Sequence, residues 1–298
     1  MSKIIVITGP TGVGKTKLSI ALAKLLNGEI VNADSMQVYK KLDIGTAKVT
    51  DKEKENIPHH LFDIKDVNED YTIYDYQIDA RKIIDDILSR GKTVIIVGGT
   101  GLYIKSALYD YKFNKEMDNT NYEDYSKEQL YDILIKLDKD IVIDKNNKRR
   151  LIRAIKYYKE NNKSINENKT NKLLYDTIFI GLTCKRDILY NRINLRVDKM
   201  ISNGLIDEVK YFYNKNIYTK PLINGIGYKE VYSYLNKEIT YEEMIELIKK
   251  NSRHYAKRQY TFFNNQMDIK WFMVDFDNFN NTIDEVYDYI NNSKKMLK

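Results

Sequence analysis

The sequence predicts an α/β fold, a parallel sheet flanked by helices and carrying a small helical insertion. Short apolar runs at Ile4-Ile5-Val6-Ile7, Thr93-Val94-Ile95-Ile96-Val97 and Asp176–Leu182 alternate with longer stretches whose apolar residues recur at helical spacing. Runs that are apolar on both faces belong to buried parallel strands. The first of them leads directly into Gly9-Pro10-Thr11-Gly12-Val13-Gly14-Lys15-Thr16, which has the form G-x-x-x-x-G-K-[ST]. The expected core is therefore a P-loop NTPase-like sheet. A polar stretch from Tyr111 to about Lys145 interrupts the alternation. Residues 1–110 and 146–298 are read as the core with basic C-terminal helices, and 111–145 as the insertion.

The glycine-rich loop calls for phosphate. Turn amides and a helix N-terminus supply positive potential, Lys15 adds a point charge, and the Thr16 hydroxyl can hold Mg²⁺. Lys15 to Leu26 reads as the first helix, with Leu18, Leu22 and Leu25 on one stripe and Gly28 just past its end. Glu29 to Asp34 returns as a strand, making a right-handed parallel unit. Ligands bind beyond the carboxyl ends of such strands, which places Asp34 near the phosphate. Alone, Asp34 fits an N-cap or a Mg²⁺ ligand as well as a catalytic base. Gln37 fits a surface amide or a reader of a base edge.

Pro58-His59-His60 holds two of the three histidines. Adjacent residues on an extended segment point to opposite faces, so a structural role is expected over metal binding. Tyr71 to Arg90 is a helix by its periodicity, ended by Gly91. The buried strand Thr93–Val97 delivers Gly98-Gly99-Thr100-Gly101 to the carboxyl edge, as a tight turn or as a close approach to ligand by the backbone or the Thr100 hydroxyl.

Within the insertion, Asn119-Thr120-Asn121 is a break and Lys127 to Leu137 a helix. The next stretch carries Arg149, Arg150, Arg153 and Lys156 above Leu151, Ile152, Ala154 and Ile155, an anion-binding stripe or a solvated helix face. After the strand at Asp176–Leu182, Lys185 to Tyr213 reads as helical, with Arg192 and Arg196 and with Val197, Met200 and Ile201 for the core. Tyr241 to Tyr260 is amphipathic, with Met244, Leu247, Ile248 and Tyr255 inward. Lys270 to Asp275 is the last strand and Ile283 to Ile290 a closing helix.

The 298 residues suffice for one large domain with an elaboration. No apolar run is long enough to span a membrane, and the first strand begins too early for a signal peptide, so the cytoplasm is the expected address; a monomer is the separate expectation for its assembly. A single cysteine, Cys184, excludes an internal disulfide and a cysteine-based zinc site. A formal charge of +7 is compatible with a nucleic acid partner.

A motor or signalling ATPase wants a strand ending in two acids, where this chain has Gly98-Gly99. A small-molecule kinase fits better, and so does an enzyme whose loop holds diphosphate as a leaving group. Here the order of short blocks decides. The glycine loop, Asp34-Ser35-Met36-Gln37-Val38-Tyr39, Ile44-Gly45-Thr46-Ala47-Lys48, Pro58-His59-His60-Leu61, Gly98-Gly99-Thr100-Gly101-Leu102-Tyr103, Arg150-Leu151-Ile152-Arg153-Ala154, Arg196-Val197-Asp198-Lys199-Met200, Gly225-Ile226-Gly227-Tyr228-Lys229-Glu230 and Tyr255-Ala256-Lys257-Arg258-Gln259 resemble, in order, the bacterial tRNA dimethylallyltransferases.

The resemblance implies transfer of a dimethylallyl group from its diphosphate to N6 of adenine 37 beside the tRNA anticodon, with Mg²⁺ as cofactor. It implies Asp34 as general base and Thr100, Lys15, Arg150 and Arg196 as further catalytic residues. Gly9 through Thr16 would bind diphosphate or nucleotide, with Thr16 at the metal. Asp34, Ser35, Met36, Gln37, Thr100, Arg149, Arg150, Leu151, Ile152 and Arg153 would contact the anticodon stem-loop, with adenine flipped into a channel between core and insertion. Two features depart from the family pattern: the insertion is short, and Asp144-Lys145 stands where relatives have a His-Pro pair. The alternatives are a prenyltransferase acting on free AMP or ADP and a P-loop small-molecule kinase.

Overall fold

The architecture is that of a computed structural model describing residues 4–113, 120–166 and 172–295. In chain order the elements begin with β1 (Ile4–Thr8), α1 (Lys15–Leu25), β2 (Gly28–Asn32), α2 (Asp51–Lys54), β3 (His59–His60), α3 (Ile73–Ser89), β4 (Thr93–Val97) and α4 (Gly101–Leu108). Then come α5 (Lys127–Leu137), α6 (Lys148–Asn161), β5 (Thr177–Thr183), α7 (Arg186–Ser202), α8 (Leu205–Tyr213) and α9 (Lys220–Asn224). The chain ends with α10 (Tyr228–Leu235), α11 (Tyr241–Gln266), β6 (Lys270–Met273) and α12 (Phe279–Lys295).

The expected parallel sheet is present, with strand order β3-β2-β4-β1-β5-β6 and every pairing parallel. The apolar run of β1 lies at its centre, with Ile5 opposite Ile95 on one side and Ile178 on the other, all five of its residues buried. One face packs on Leu18 and Leu22 of α1 and on Val286 and Ile290 of α12. Helix α3 begins at a capping box, in which Thr72 accepts from the Asp75 amide and Asp75 answers to the Thr72 amide, and it buries Tyr76, Ala80, Ile84 and Ile87.

Several expected boundaries move. Gly28 belongs to β2, and Asn27 takes the left-handed turn after α1, with φ 48°. Leu25 is 51% exposed because the stripe of α1 ends a turn earlier. The stretch Lys185 to Tyr213 is two helices, α7 and α8, broken at Gly204, whose φ of 98° a side chain would strain. Val197 is buried, but Met200 and Ile201 are only half-buried. Leu247 and Tyr255 of α11 are likewise half-buried, and α11 continues past Tyr260 to Gln266. Strand β6 stops at Met273, since Asp275 turns to accept the amides of Asp277 (3.0 Å) and Asn278 (2.8 Å) ahead of α12.

His59 and His60 form the edge strand β3 and serve the fold. His59 Nδ1 meets the Ile57 carbonyl at 2.7 Å, and His60 Nε2 meets Glu29 Oε2 at 2.8 Å. Glu29 is 2% exposed and also takes Arg90 (2.9 Å to Nη2) and Lys92 (2.6 Å). These hydrogen bonds, Arg90's first, hold its carboxyl well below the usual carboxylate range.

The chain divides into two compact units, Met1–Leu108 with Leu173–Lys298, and Tyr109–Lys172. The small unit thus extends beyond the expected limit at Lys145. Leu151, Ala154 and Ile155 of α6 bury themselves with Leu130 and Leu134 of α5 and with Tyr122 and Ile141, so the basic helix shares a core with the insertion. Residues 114–119, which include Asn119 of the expected break, lie outside the described residues.

Candidate active site

Strand β1 ends at the buried Thr8 and the chain turns through Gly9, whose φ is 131° and where a Cβ would stand 2.4 Å from the Leu182 carbonyl oxygen. Only glycine lets the loop pass that close to β5. Helix α1 then starts at Lys15, whose ammonium donates to the carbonyls of Gly9 (3.0 Å) and Pro10 (2.8 Å). Burial and the charge of Arg196 pull Lys15 down to about 7, with Asp34 opposing them. Val13 turns its side chain into the core, and Thr16 lines the cavity beyond the loop.

The acid just past the end of β2, one strand removed from β1, is held by its own turn. The buried Asn32 accepts the Asp34 amide (2.9 Å) and donates to the carbonyls of Asp34 and Leu61, both at 3.0 Å. Asp34 Oδ1 accepts the Met36 amide at 2.9 Å, and among the described residues Oδ2 has no hydrogen-bond partner. Thr100 binds this turn from β4's end: its amide donates to Ala33 O (3.0 Å), and its hydroxyl accepts the Ser35 amide (3.0 Å) and donates to Ser35 Oγ (3.3 Å). Arg196 donates to the Thr46 carbonyl (3.3 Å). Burial weakens its hold on its proton, and Asp34 counters that. Gln37 Nε2 donates to the same carbonyl at 3.1 Å, so the amide read as a possible base reader also fixes the Thr46 loop.

These groups border one cavity of about 1210 Å³ within the large unit. Lys15, Thr16, Asp34, Ser35, Met36, Gln37 and Arg196 all line it. Thr100 joins through its hold on Ser35. Arg149, Arg150 and Arg153 belong to the small unit, exposed along α6, where Asn147 caps the Arg150 amide at 3.1 Å. Leu151, expected among the RNA contacts, has its side chain fully buried in that unit's core, and Ile152 is half-buried beside it.

The structure adds residues that pattern reading left without a role. Gln259 of α11 is 4% exposed. Its Oε1 accepts the Thr11 amide (3.0 Å) and its Nε2 donates to Gly99 O (3.1 Å), so one amide ties the glycine-rich loop to the Gly98–Gly101 turn. Tyr255, a turn earlier, faces Thr100 and Gln259, and burial and the charge of Asp34 raise its hydroxyl. Glu208 accepts the amides of Asp43, Ile44 and Gly45 and the Tyr228 hydroxyl, shaping the loop that carries Thr46. Arg192 Nε donates to Gly12 O (3.0 Å) while its guanidinium lies 3.9 Å over the Phe276 ring. Phe279 fills the space beside Gly14, and Lys17 lies 4.7 Å above that ring.

Residues 37–266 match a family model described as IPP transferase. A relative in Anoxybacillus flavithermus named tRNA dimethylallyltransferase is 49% identical, covering 97% of this chain and 96% of its own. One of the same name in Geobacillus thermodenitrificans is 47% identical with the same coverage. The solved tRNA delta(2)-isopentenylpyrophosphate transferase of Staphylococcus epidermidis is 40% identical, covers 98% of this chain and 100% of its own, and superimposes with a TM-score of 0.75. A eukaryotic dimethylallyltransferase acting on tRNA is 33% identical, covers 91% of this chain and 74% of its own, and has a TM-score of 0.79. A glycine-rich loop and an acid sharing one cavity are found here in a chain matched nearly end to end, and the chain belongs to the IPP transferase family.

Proposed function

We propose that the protein transfers a dimethylallyl group from dimethylallyl diphosphate to N6 of adenine 37 in the tRNA anticodon loop, releasing diphosphate. The observation that carries this reading is the shared cavity of Lys15 and Asp34, with Gln259 tying the Lys15 loop to the Gly98–Gly101 turn, whose Thr100 holds the Asp34 turn. An exocyclic adenine amine is a weak nucleophile because its lone pair is delocalised into the ring. As the bond from N6 to C1 forms and the bond from C1 to the diphosphate oxygen breaks, the N6 proton passes to Asp34 and the electron pair leaves with diphosphate. The loop amides, Lys15 and Arg196 stabilise that developing charge.

Thr100 and Ser35 hold the Asp34 turn in place for this transfer. The Thr16 hydroxyl, a hard oxygen on the cavity wall beside the glycine loop, suits Mg²⁺. Held there, Mg²⁺ would neutralise diphosphate charge. In this reading the exposed Arg149, Arg150 and Arg153 supply phosphate contacts to the stem-loop, which position it. No described helix is long and apolar enough to cross a membrane, and the reading places the enzyme in the cytoplasm with its tRNA.

The test is mass measurement after incubating the protein with Mg²⁺, dimethylallyl diphosphate and an unmodified stem-loop carrying A-A-A at 36 to 38. AMP and ATP serve as controls. One five-carbon group is expected on the RNA alone. Asp34→Asn keeps an oxygen for the Met36 amide, so both substrates should bind while turnover falls at least about a hundredfold. Prenylated AMP, or phosphate transfer from ATP, would refute the reading.

A further inference from the structure

Away from the cavity, two ammonium groups converge on one phenol. Lys41 Nζ lies 2.8 Å and Lys215 Nζ 2.9 Å from the Tyr211 hydroxyl, and both sit close to its ring, at 4.7 and 4.2 Å from the centroid. All three side chains are exposed. Like charges brought together this way repel one another, so the arrangement favours an anion. Neighbouring lysines on the same loop are already neutralised: Lys40 pairs with Asp66 at 3.5 Å, and Lys48 with Asp43 at 2.7 Å and Asp63 at 2.6 Å. Among the described residues, neither Lys41 nor Lys215 has a carboxylate within ion-pair distance; the carboxylate felt by Lys41 is the already paired Asp66.

The backbone is shaped to present this group. Lys41 has φ 63°, a left-handed conformation that a lysine adopts at a cost. Tyr211 lies on α8 three residues after Glu208, and Glu208 grips the Asp43–Gly45 amides of the loop that Lys41 opens. Gly45 and Thr46 of that loop line the large cavity. The cluster therefore sits at the outer end of the same loop and helix whose inner end borders the active site.

We propose that Lys41, Tyr211 and Lys215 form a phosphate-binding site on the core unit that takes a backbone phosphate of the RNA substrate outside the cavity. Each ammonium keeps N–H groups beyond the one aimed at the phenol, and the Tyr211 hydroxyl can donate as well. One phosphate oxygen between the lysines would complete all three. The two lysines already pull the Tyr211 hydroxyl down to about 8, which reflects the local excess of positive charge. A phosphodiester is favoured over an acidic protein because the site continues the surface of the cavity that receives the RNA. This inference rests on the proposed tRNA reaction.

The test compares wild type with the double variant Lys41→Gly/Lys215→Ala, using an unmodified full-length tRNA. Glycine removes one charge and also relieves the left-handed strain, so thermal stability should not fall. At about 0.1 M salt the dissociation constant for tRNA should rise roughly tenfold, and the slope of log affinity against log salt should shrink in magnitude by about one to two. The kcat at saturating tRNA and the KM for dimethylallyl diphosphate should stay at wild-type values. Tyr211→Phe, which removes the oxygen holding the lysines together, should weaken tRNA binding less than the double variant while leaving the salt slope in place. An active variant with unchanged tRNA affinity and salt slope would overturn this site alone, whereas a wild type that neither binds nor prenylates tRNA would overturn the reading beneath it.

Discussion

Lys15 is asked to be a cation in a place that discourages one. Burial and Arg196 bring it to about 7, and its ammonium rests on two carbonyls of its own loop. A bound diphosphate favours the charged form and raises that value, so above pH 7 binding must be accompanied by proton uptake. The contribution of Lys15 to the affinity for dimethylallyl diphosphate should therefore be flat below pH 7. Above it, affinity should fall by up to about tenfold per pH unit until the raised pKa of the complex is reached. Calorimetry in buffers of different ionisation enthalpy reads the proton directly, and no uptake at pH 8 would contradict the assignment. Nothing in the letters Gly14-Lys15-Thr16 foretells this. The motif identifies the lysine, but its pKa depends on Arg196, which lies far along the chain.

Among the elements, α11 does the most for the site, because Gln259, late in the chain, touches two loops near its start, at Thr11 and Gly99. Gln259→Ala would leave the Thr11 amide and the Gly99 carbonyl without that partner. The expected cost is about 1 to 3 kcal/mol of stability and roughly a hundredfold in kcat/KM, through misplacement of the phosphate loop against Asp34. Steady-state kinetics beside thermal unfolding check both, and full activity would show that the tie is dispensable. What could be read in the sequence follows from range. β1, α3 and β4 were legible because their periodicity and their stops at Gly9, Gly91 and Gly98 are local. The break at Gly204 was visible as a letter but not as a conformation. Helices α9 and α10 are short: five residues of α9 carry no period, and Tyr228, Val231, Tyr232 and Leu235 of α10 recur at helical spacing for only two turns. The partnership of Thr11 with Gln259 spans 248 positions, and that of Gly12 with Arg192 spans 180, beyond what a single sequence can pair.

At the scale of the whole molecule, the small unit is built to be self-contained. It has its own apolar core, and within the large unit the Leu174 amide donates to the Leu108 carbonyl at 2.9 Å, so the chain leaves that unit and returns to it at one place. Replacing residues 109–172 by a short glycine linker should leave a folded core that still binds dimethylallyl diphosphate, while turnover on tRNA falls at least about a hundredfold. Thermal melting with and without the diphosphate reads the first, and the mass assay the second. An unfolded product would show that the large unit needs the small one. In the sequence the charge of Lys148–Lys159 groups this helix with the basic core helices, whereas its neutral side, packed with α5, decides where it belongs. Within the large unit, Glu29 and its ring of Arg90, Lys92 and His60 lie at the start of β2, and Asp34 lies just past its end. One short strand thus has a clamped end and a working end, and durability and turnover can be changed at one without rewriting the other.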